Sequence, residues 1–116
     1  MTNDFYHGII KNLHVGYAYH RIICDTQGTP VDYEFIEVNR AFEAATGLIG
    51  AEIIGKTVTA VIPEIRDSEF DWIRFYGEIA LKHTTAEIEQ YSSPLNRWYR
   101  VQVYSPETNY FITLFN

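Results

Sequence analysis

Between Asn3 and Leu13 the apolar residues Phe5, Tyr6, Ile9, Ile10 and Leu13 recur at helical spacing. The pattern predicts a short amphipathic helix over residues 1–14, ahead of a core over residues 15–116. A helix of that length is marginal in water, so its apolar side must dock. It packs either on its own domain or in a dimer contact through Phe5, Ile9 and Leu13. From Gly16 to Asp25 the pattern changes to a run of aromatic and β-branched residues, followed by the turn chemistry Asp25-Thr26-Gln27-Gly28-Thr29-Pro30. Val31 to Val38 then alternates Tyr33 and Phe35 with Asp32 and Glu34, which completes a β-hairpin.

The middle of the chain reads as helix broken into pieces. Asn39 is a good N-cap for a short helix over Arg40 to Thr46, and Gly47 stands where a left-handed exit ends one. A second short element falls near Ala51 to Ile54 and stops at Gly55. Thr57 opens a third, which must end by Pro63. Ser68 and Asp71 have capping-box spacing, so a longer helix is expected from there to about Lys82. Its apolar face carries Trp72, Phe75, Tyr76 and Ile79, with Glu69, Asp71, Arg74, Glu78 and Lys82 largely outside that face.

Three more strands close the chain: Glu87 to Tyr91, Arg97 to Tyr104, and Tyr110 to Phe115. The turns Pro94-Leu95-Asn96 and Pro106-Glu107-Thr108-Asn109 separate them. Two strands, several helices and three strands make an α+β chain, with one antiparallel sheet of five strands and the helices on one of its faces.

Composition narrows the classes of function. The 116 residues fit one domain, and the lone cysteine, Cys24, excludes an internal disulfide. The net charge of −6, with nine scattered Lys and Arg, argues against a nucleic-acid surface or direct contact with an anionic membrane. No run approaches the length of a membrane span, and a cytoplasmic protein, alone or as part of a larger membrane-attached receptor, is expected. Nine Tyr, seven Phe and two Trp exceed what a minimal core needs, so some of this aromatic surface lines a cavity or an interface, or else the core is simply aromatic.

The segment Glu37-Val38-Asn39-Arg40-Ala41-Phe42-Glu43, running on to Thr46-Gly47, resembles a word of the PAS fold. In that word a strand ends in Val-Asn, Pro-Ala follows, and a short helix closes with Thr-Gly. Arg40 stands where proline is usual, and the first helical position tolerates most residues. Ile53-Ile54-Gly55-Lys56 resembles the next PAS word, Arg97-Trp98-Tyr99-Arg100-Val101 the fourth strand, and Tyr110 to Phe115 the fifth. The chain is similar to sensory-box PAS domains of bacterial histidine kinases and diguanylate cyclases. The resemblance implies a five-stranded antiparallel sheet with short helices and one longer helix on one face. It also implies a signalling role in a two-component or related system, with an output domain beyond Asn116.

Cys24 and His20 would sit about 13 Å apart on one strand face, too far for a nucleophile and its base. Flavin-binding relatives implied by the resemblance carry a reactive cysteine in the central helices. None lies between Asn39 and Lys82, which excludes that photochemistry. Haem-binding relatives use a histidine on the long helix. His83 stands at its end, where a cation also suits the helix dipole, and no haem is expected. His7, His14 and His20 read as surface or interface residues. Glu87 and Glu89 read as the solvent side of a strand whose other face carries Ile88. No metal site, cofactor or catalytic set is expected, so the chain is not expected to be an enzyme.

What remains is an aromatic cavity or core. Phe35, Phe42, Trp72, Tyr76, Tyr99, Val101 and Val103 should converge between sheet and helices, with Ile54 and Val58 beside them. Glu37 and Asn39 are candidates to meet a ligand's polar groups, Glu37 alternatively pairing with an Arg or a backbone amide. Trp98, Arg100, Gln102 and Tyr104 alternate to the outer face, where Trp98 and Tyr104 call for a cover such as the N-terminal helix or a second subunit. Two functions follow: a domain that senses a small molecule, or a ligand-free dimerising relay whose core is filled by side chains.

Overall fold

The computed structural model describes residues 14–115, and the N-terminal helix expected through Phe5, Ile9 and Leu13 lies outside them. Strand β1, Gly16–Cys24, pairs antiparallel with β2, Pro30–Val38. Asp25 closes the turn between them, its Oδ1 accepting the backbone N–H groups of Gln27 at 2.8 Å and Thr29 at 3.0 Å. After the helices come β3, Thr85–Ser92, β4, Arg97–Tyr104, and β5, Tyr110–Phe115. The sheet order is β2-β1-β5-β4-β3, antiparallel throughout. The first and last strands therefore lie side by side, with Gly16 opposite Phe115. The crossover from β2 to β3 carries every described helix over one face.

Helix α1, Arg40–Thr46, begins and ends as its sequence dictates. The Asn39 side chain accepts the N–H of Phe42, and Gly47 takes a left-handed φ of 78°. Two single turns follow, α2 at Gly50–Ile53 and α3 at Val58–Val61, then a 3₁₀ turn at Pro63–Asp67. The loop between α2 and α3 is stitched to β2, because Gly55 N–H donates to Phe35 O and Phe35 N–H to Lys56 O. Thr57 precedes α3 but makes no side-chain cap bond.

Helix α4, Trp72–Lys82, starts later than the Ser68–Asp71 spacing predicts. Asp71 is itself the cap, accepting the N–H of Arg74 at 3.0 Å, while Ser68 only closes the 3₁₀ turn. The helix buries Trp72, Ile73, Tyr76, Ile79 and Ala80 against the sheet. Gly77 permits the close approach, since a Cβ there would stand 2.3 Å from Pro30 Cγ at the start of β2. Strand β3 runs longer at both ends than Glu87–Tyr91.

The core fills the space between the helices and the inner sheet face. That face carries Ala18, His20 and Ile22 of β1, Tyr33 and Phe35 of β2, Val101 and Val103 of β4, and Phe111 and Phe115 of β5, all buried. The outer face of β4 presents Trp98, Arg100, Gln102 and Tyr104, as alternation predicts. Trp98 is 67% exposed, and its ring meets only the edge of Tyr91 among the described aromatic residues.

Candidate ligand cavity

A cavity of about 80 Å³, partly open to solvent, lies between the sheet and the helices. Its sheet wall comprises His20 of β1, Tyr33 and Phe35 of β2, Tyr99 and Val101 of β4, and Thr113 and Phe115 of β5. Phe42 and Thr46 of α1, Ile62, Ile65 of the 3₁₀ turn, and Trp72 and Tyr76 of α4 form the opposite wall. Leu48 and the β3–β4 turn, through Pro94 and Leu95, contribute the rest of the rim. No Asp, Glu, Lys or Arg is among the described lining residues.

The lining residues His20, Tyr33 and Tyr76 pack in an aromatic cluster with Phe111 of β5. The rings of His20 and Phe111 lie nearly parallel, as do those of Phe111 and Tyr76, whose centroids are 4.8 Å apart. Tyr33 meets His20, Tyr76 and Phe111 edge-on at 5.0 Å, 5.6 Å and 5.3 Å. Such edge and offset arrangements let the positive rim of one ring face the negative face of another. Burial shapes the chemistry here. Desolvation pushes the His20 imidazole down to about 3, the Phe111 backbone pulling weakly the other way, so the ring is neutral at physiological pH. Desolvation likewise pushes the Tyr33 and Tyr76 hydroxyls far above their ordinary range.

Two buried side-chain nitrogens of lining residues, His20 Nδ1 and Trp72 Nε1, have no hydrogen-bond partner among the described residues. Buried polar atoms are nearly always paired, so each such atom needs an explanation. Of the other polar lining groups, Thr46 Oγ1 donates to Phe42 O, Tyr99 Oη donates to Ala45 O, and Ser92 Oγ accepts the N–H of Leu95.

Of the residues expected in the cavity, Phe35, Phe42, Trp72, Tyr76, Tyr99 and Val101 do come together around it. Val58 and Val103 are packed solid in the core instead. Ile54 is exposed, and it borders a separate surface cleft with Asn39 and Glu43. Asn39 is committed to the backbone. Its Oδ1 accepts the N–H groups of Tyr17 and Phe42, and its Nδ2 donates to Val15 O. Glu37 does not share the face of Phe35. The β1–β2 register shifts between Tyr19 and His20, so Glu37 lies opposite Tyr19 while Phe35 lies opposite His20. This bulge turns Glu37 to the outer face, where it accepts a hydrogen bond from Tyr17 Oη at 2.9 Å.

His20 is the residue that sequence reasoning misplaced: it is 3% exposed, in the cavity wall and not at a surface. The signal was present in the alternation of Ala18, His20 and Ile22 against Tyr17, Tyr19 and Arg21. With tyrosine on the second set, that alternation did not say which set faces inward. His83 sits apart from the cavity as the exposed left-handed residue ending α4, with Nδ1 3.4 Å from Ser105 Oγ. Cys24 ends β1 opposite Pro30, at a second irregularity of the register.

Solved structures with this arrangement of strands and helices decide the fold. An RNA-binding light-oxygen-voltage receptor matches 97% of this chain at 13% identity and a TM-score of 0.63, this chain spanning 32% of that one. A domain of a sensory box sensor histidine kinase/response regulator from Geobacter sulfurreducens matches over 97% of this chain and 91% of its own, at 11% identity and a TM-score of 0.61. The fold is that of a PAS domain. A sensory box sensor histidine kinase from Vibrio cholerae shares the PAS arrangement too, over 96% of this chain and 86% of its own, at 16% identity and a TM-score of 0.58. No family model matches the sequence, and no curated protein matches it significantly. At such low identities the likeness resides in backbone geometry, and the lining of this PAS cavity belongs to this chain. Among the described residues no helix is long and apolar enough to cross a membrane.

Proposed function

We propose that this PAS domain is the sensory part of a signal-transduction protein: it takes a small molecule into the cavity and passes a conformational change to an output domain such as a histidine kinase or diguanylate cyclase. The observation that carries this reading is the partly open cavity between sheet and helices, whose described lining is largely aromatic and apolar and carries no charged side chain. A ligand shifts such a domain only through a difference in affinity between two states. The walls suit that requirement. Helix α4 contributes Trp72 and Tyr76, and β5, the last strand, contributes Thr113 and Phe115, so occupancy bears directly on the strand that leaves the domain. In this reading the domain itself catalyses nothing and carries no haem or flavin. Its cavity is well below the several hundred Å³ that drug-sized ligands occupy.

Native mass spectrometry of protein purified from its host tests the reading. A retained small molecule, released on denaturation and accompanied by a raised Tm, is the expected result. A bare mass, with no small molecule raising the Tm, overturns it.

The exposed Trp98 favours a second reading, a dimerising relay in a cytoplasmic protein, with the outer sheet face as the contact. Sedimentation of the wild type against Trp98→Ser and Tyr104→Ser decides it. A dimer that both substitutions dissociate supports the relay, and a monomeric wild type rejects it.

A further inference from the structure

The burial of the lining residues locates the cavity's mouth. Among the described lining residues, those of the sheet are buried, as are Phe42, Ile65, Trp72 and Tyr76 opposite them. Thr46, Leu48, Ile62, Pro94 and Leu95 are half-buried, so the cavity meets solvent where the end of α1 and Ile62 face the β3–β4 turn. Resting on the reading of the cavity as a ligand site, we infer that the β3–β4 turn is a gate over this mouth. Its latch is Arg97, whose hydrogen bond to the Ala45 carbonyl sets how fast a ligand enters and leaves.

Two hydrogen bonds cross the mouth and share one acceptor. Arg97 Nη1 donates to Ala45 O at 2.5 Å, and Tyr99 Oη donates to the same oxygen at 3.0 Å. Ala45 stands in the last turn of α1, where carbonyls have no partner within the helix, so it takes donors from the facing hairpin. Sharing makes the latch easy to release. When Arg97 swings away, Ala45 O keeps Tyr99, and the guanidinium of an exposed residue passes into water. Neither partner is left buried and unpaired, the condition under which breaking a hydrogen bond is costly.

The two sides of the mouth differ in freedom. The α1 side is tied down: Asn39 joins its start to Tyr17 of β1, Thr46 Oγ1 bonds Phe42 O, and Glu43 Oε2 accepts the Gly50 N–H at 2.6 Å. The turn opposite is held by bonds within its own hairpin. Leu95 N–H donates to Ser92 Oγ, Asn96 N–H to Ser93 O, and Tyr91 Oη to Asn96 Oδ1. Strand β3 is also an edge of the sheet, so the hairpin tip swings without breaking a ladder beyond it. Pro94 and Leu95 travel with the tip and uncover the cavity. Such local openings are drawn from the least stable parts of a fold, and loops of this kind gate many binding sites.

A latch changes rates and leaves affinity alone, because the closed state stays the populated one, and two probes separate these quantities. Xenon, which fills apolar cavities, reports occupancy through its ¹²⁹Xe shift. Acrylamide, a larger probe, reports passage by collisional quenching of Trp72 in the cavity wall. Trp98→Phe serves as the parent for both, since it leaves Trp72 the single tryptophan. In that parent, Arg97→Ala is expected to raise the quenching rate constant about threefold to tenfold, the loss of one hydrogen bond. Its xenon Kd should match that of the parent. Arg97→Lys, which keeps a donor, should fall between the two. Arg100→Ala, which breaks the pair with Glu89 on the outer face of the same strand, should quench like the parent. Xenon binding with equal quenching in the parent and Arg97→Ala overturns the gate and leaves the cavity a ligand site. A matching rise in Arg100→Ala is general loosening and overturns the gate as well. A weaker xenon Kd in Arg97→Ala makes Arg97 a support of the cavity wall and overturns its role as latch. Absence of xenon binding in the parent overturns the ligand-site reading, and the gate falls with it.

Discussion

The imidazole of His20 lies against the phenyl ring of Phe111, with centroids 4.4 Å apart and planes 15° from parallel. The two residues face each other across the β1–β5 ladder, so a titratable ring stands where the sheet is most deeply buried. Protonating it in place puts a cation into a wall that offers no counter-charge.

Acid stability follows from this. Burial lowers the His20 pKa from 6.5 to about 3, so between those values the unfolded chain binds a proton that the folded chain refuses. The contribution of His20 is complete above 6.5 and is lost as the pH falls from there toward 3, at about 1.4 kcal/mol per pH unit. Carboxylates add their own slope in any variant, so the difference between proteins isolates this residue. Urea unfolding of wild type and His20→Phe from neutral to about pH 4 should show a shallower acid limb in the variant. Equal limbs would refute a neutral, buried imidazole.

At the alkaline end the same burial has the opposite sign. Desolvation raises the Tyr33 and Tyr76 hydroxyls above 10, so their stabilising contribution is complete below that value and is lost as the pH rises through it. Tyr17 behaves likewise, raised first by burial and then by its hydrogen bond to Glu37. In a phenolate absorbance titration these three should ionise together, coincident with the loss of far-UV ellipticity. Independent ionisation of all nine tyrosines near 10 would contradict their burial.

Gly77→Ala should destabilise the domain although alanine is the better helix former. The new Cβ meets Pro30 Cγ at 2.3 Å and Cβ at 2.5 Å, and a proline ring anchored in β2 gives little. The expected cost is about 1–3 kcal/mol, against a propensity gain of about 1 kcal/mol. Thermal unfolding alongside Glu78→Ala, on the exposed side of α4, separates packing from propensity.

Asn39→Ala removes a cap and a joint at once. The Tyr17 N–H, held at 3.0 Å, and the Phe42 N–H, held at 2.9 Å, both lose their acceptor. A lost cap together with an orphaned buried donor should cost about 2–4 kcal/mol. Asn39→Asp, which keeps the acceptor and loses the bond from Nδ2 to Val15 O, should fall between alanine and wild type in Tm.

Elements with strong punctuation were legible in the sequence. Asn39 and Gly47 bound α1, and the turns around Pro94 and Pro106 bound β4, each to the residue. Where punctuation was ambiguous, reading slipped. Ser68 and Asp71 are three apart, as a capping box requires, yet only Asp71 caps, because the chain between them is still leaving the 3₁₀ turn. The cavity was half legible for a similar reason. Aromatic residues on α4, β2 and β4 announced themselves by alternation and helical spacing. A bulge leaves no mark on alternation, so Glu37 was placed on the wrong face, and a strand with aromatic residues on both sides concealed His20. The rim residues Pro94 and Leu95 belong to a turn that only the tertiary fold brings to the cavity.

The pairing of Gly16 with Phe115 has a mechanical consequence. Whatever chain precedes the first strand and whatever follows the last depart from adjacent points on the same rim of the sheet, with Phe115 forming part of the cavity wall beneath them. Two neighbouring segments leaving together act like the handles of a pair of tongs. In the proposed sensory role, a displacement at Phe115 would reach both exits at once through that shared pivot.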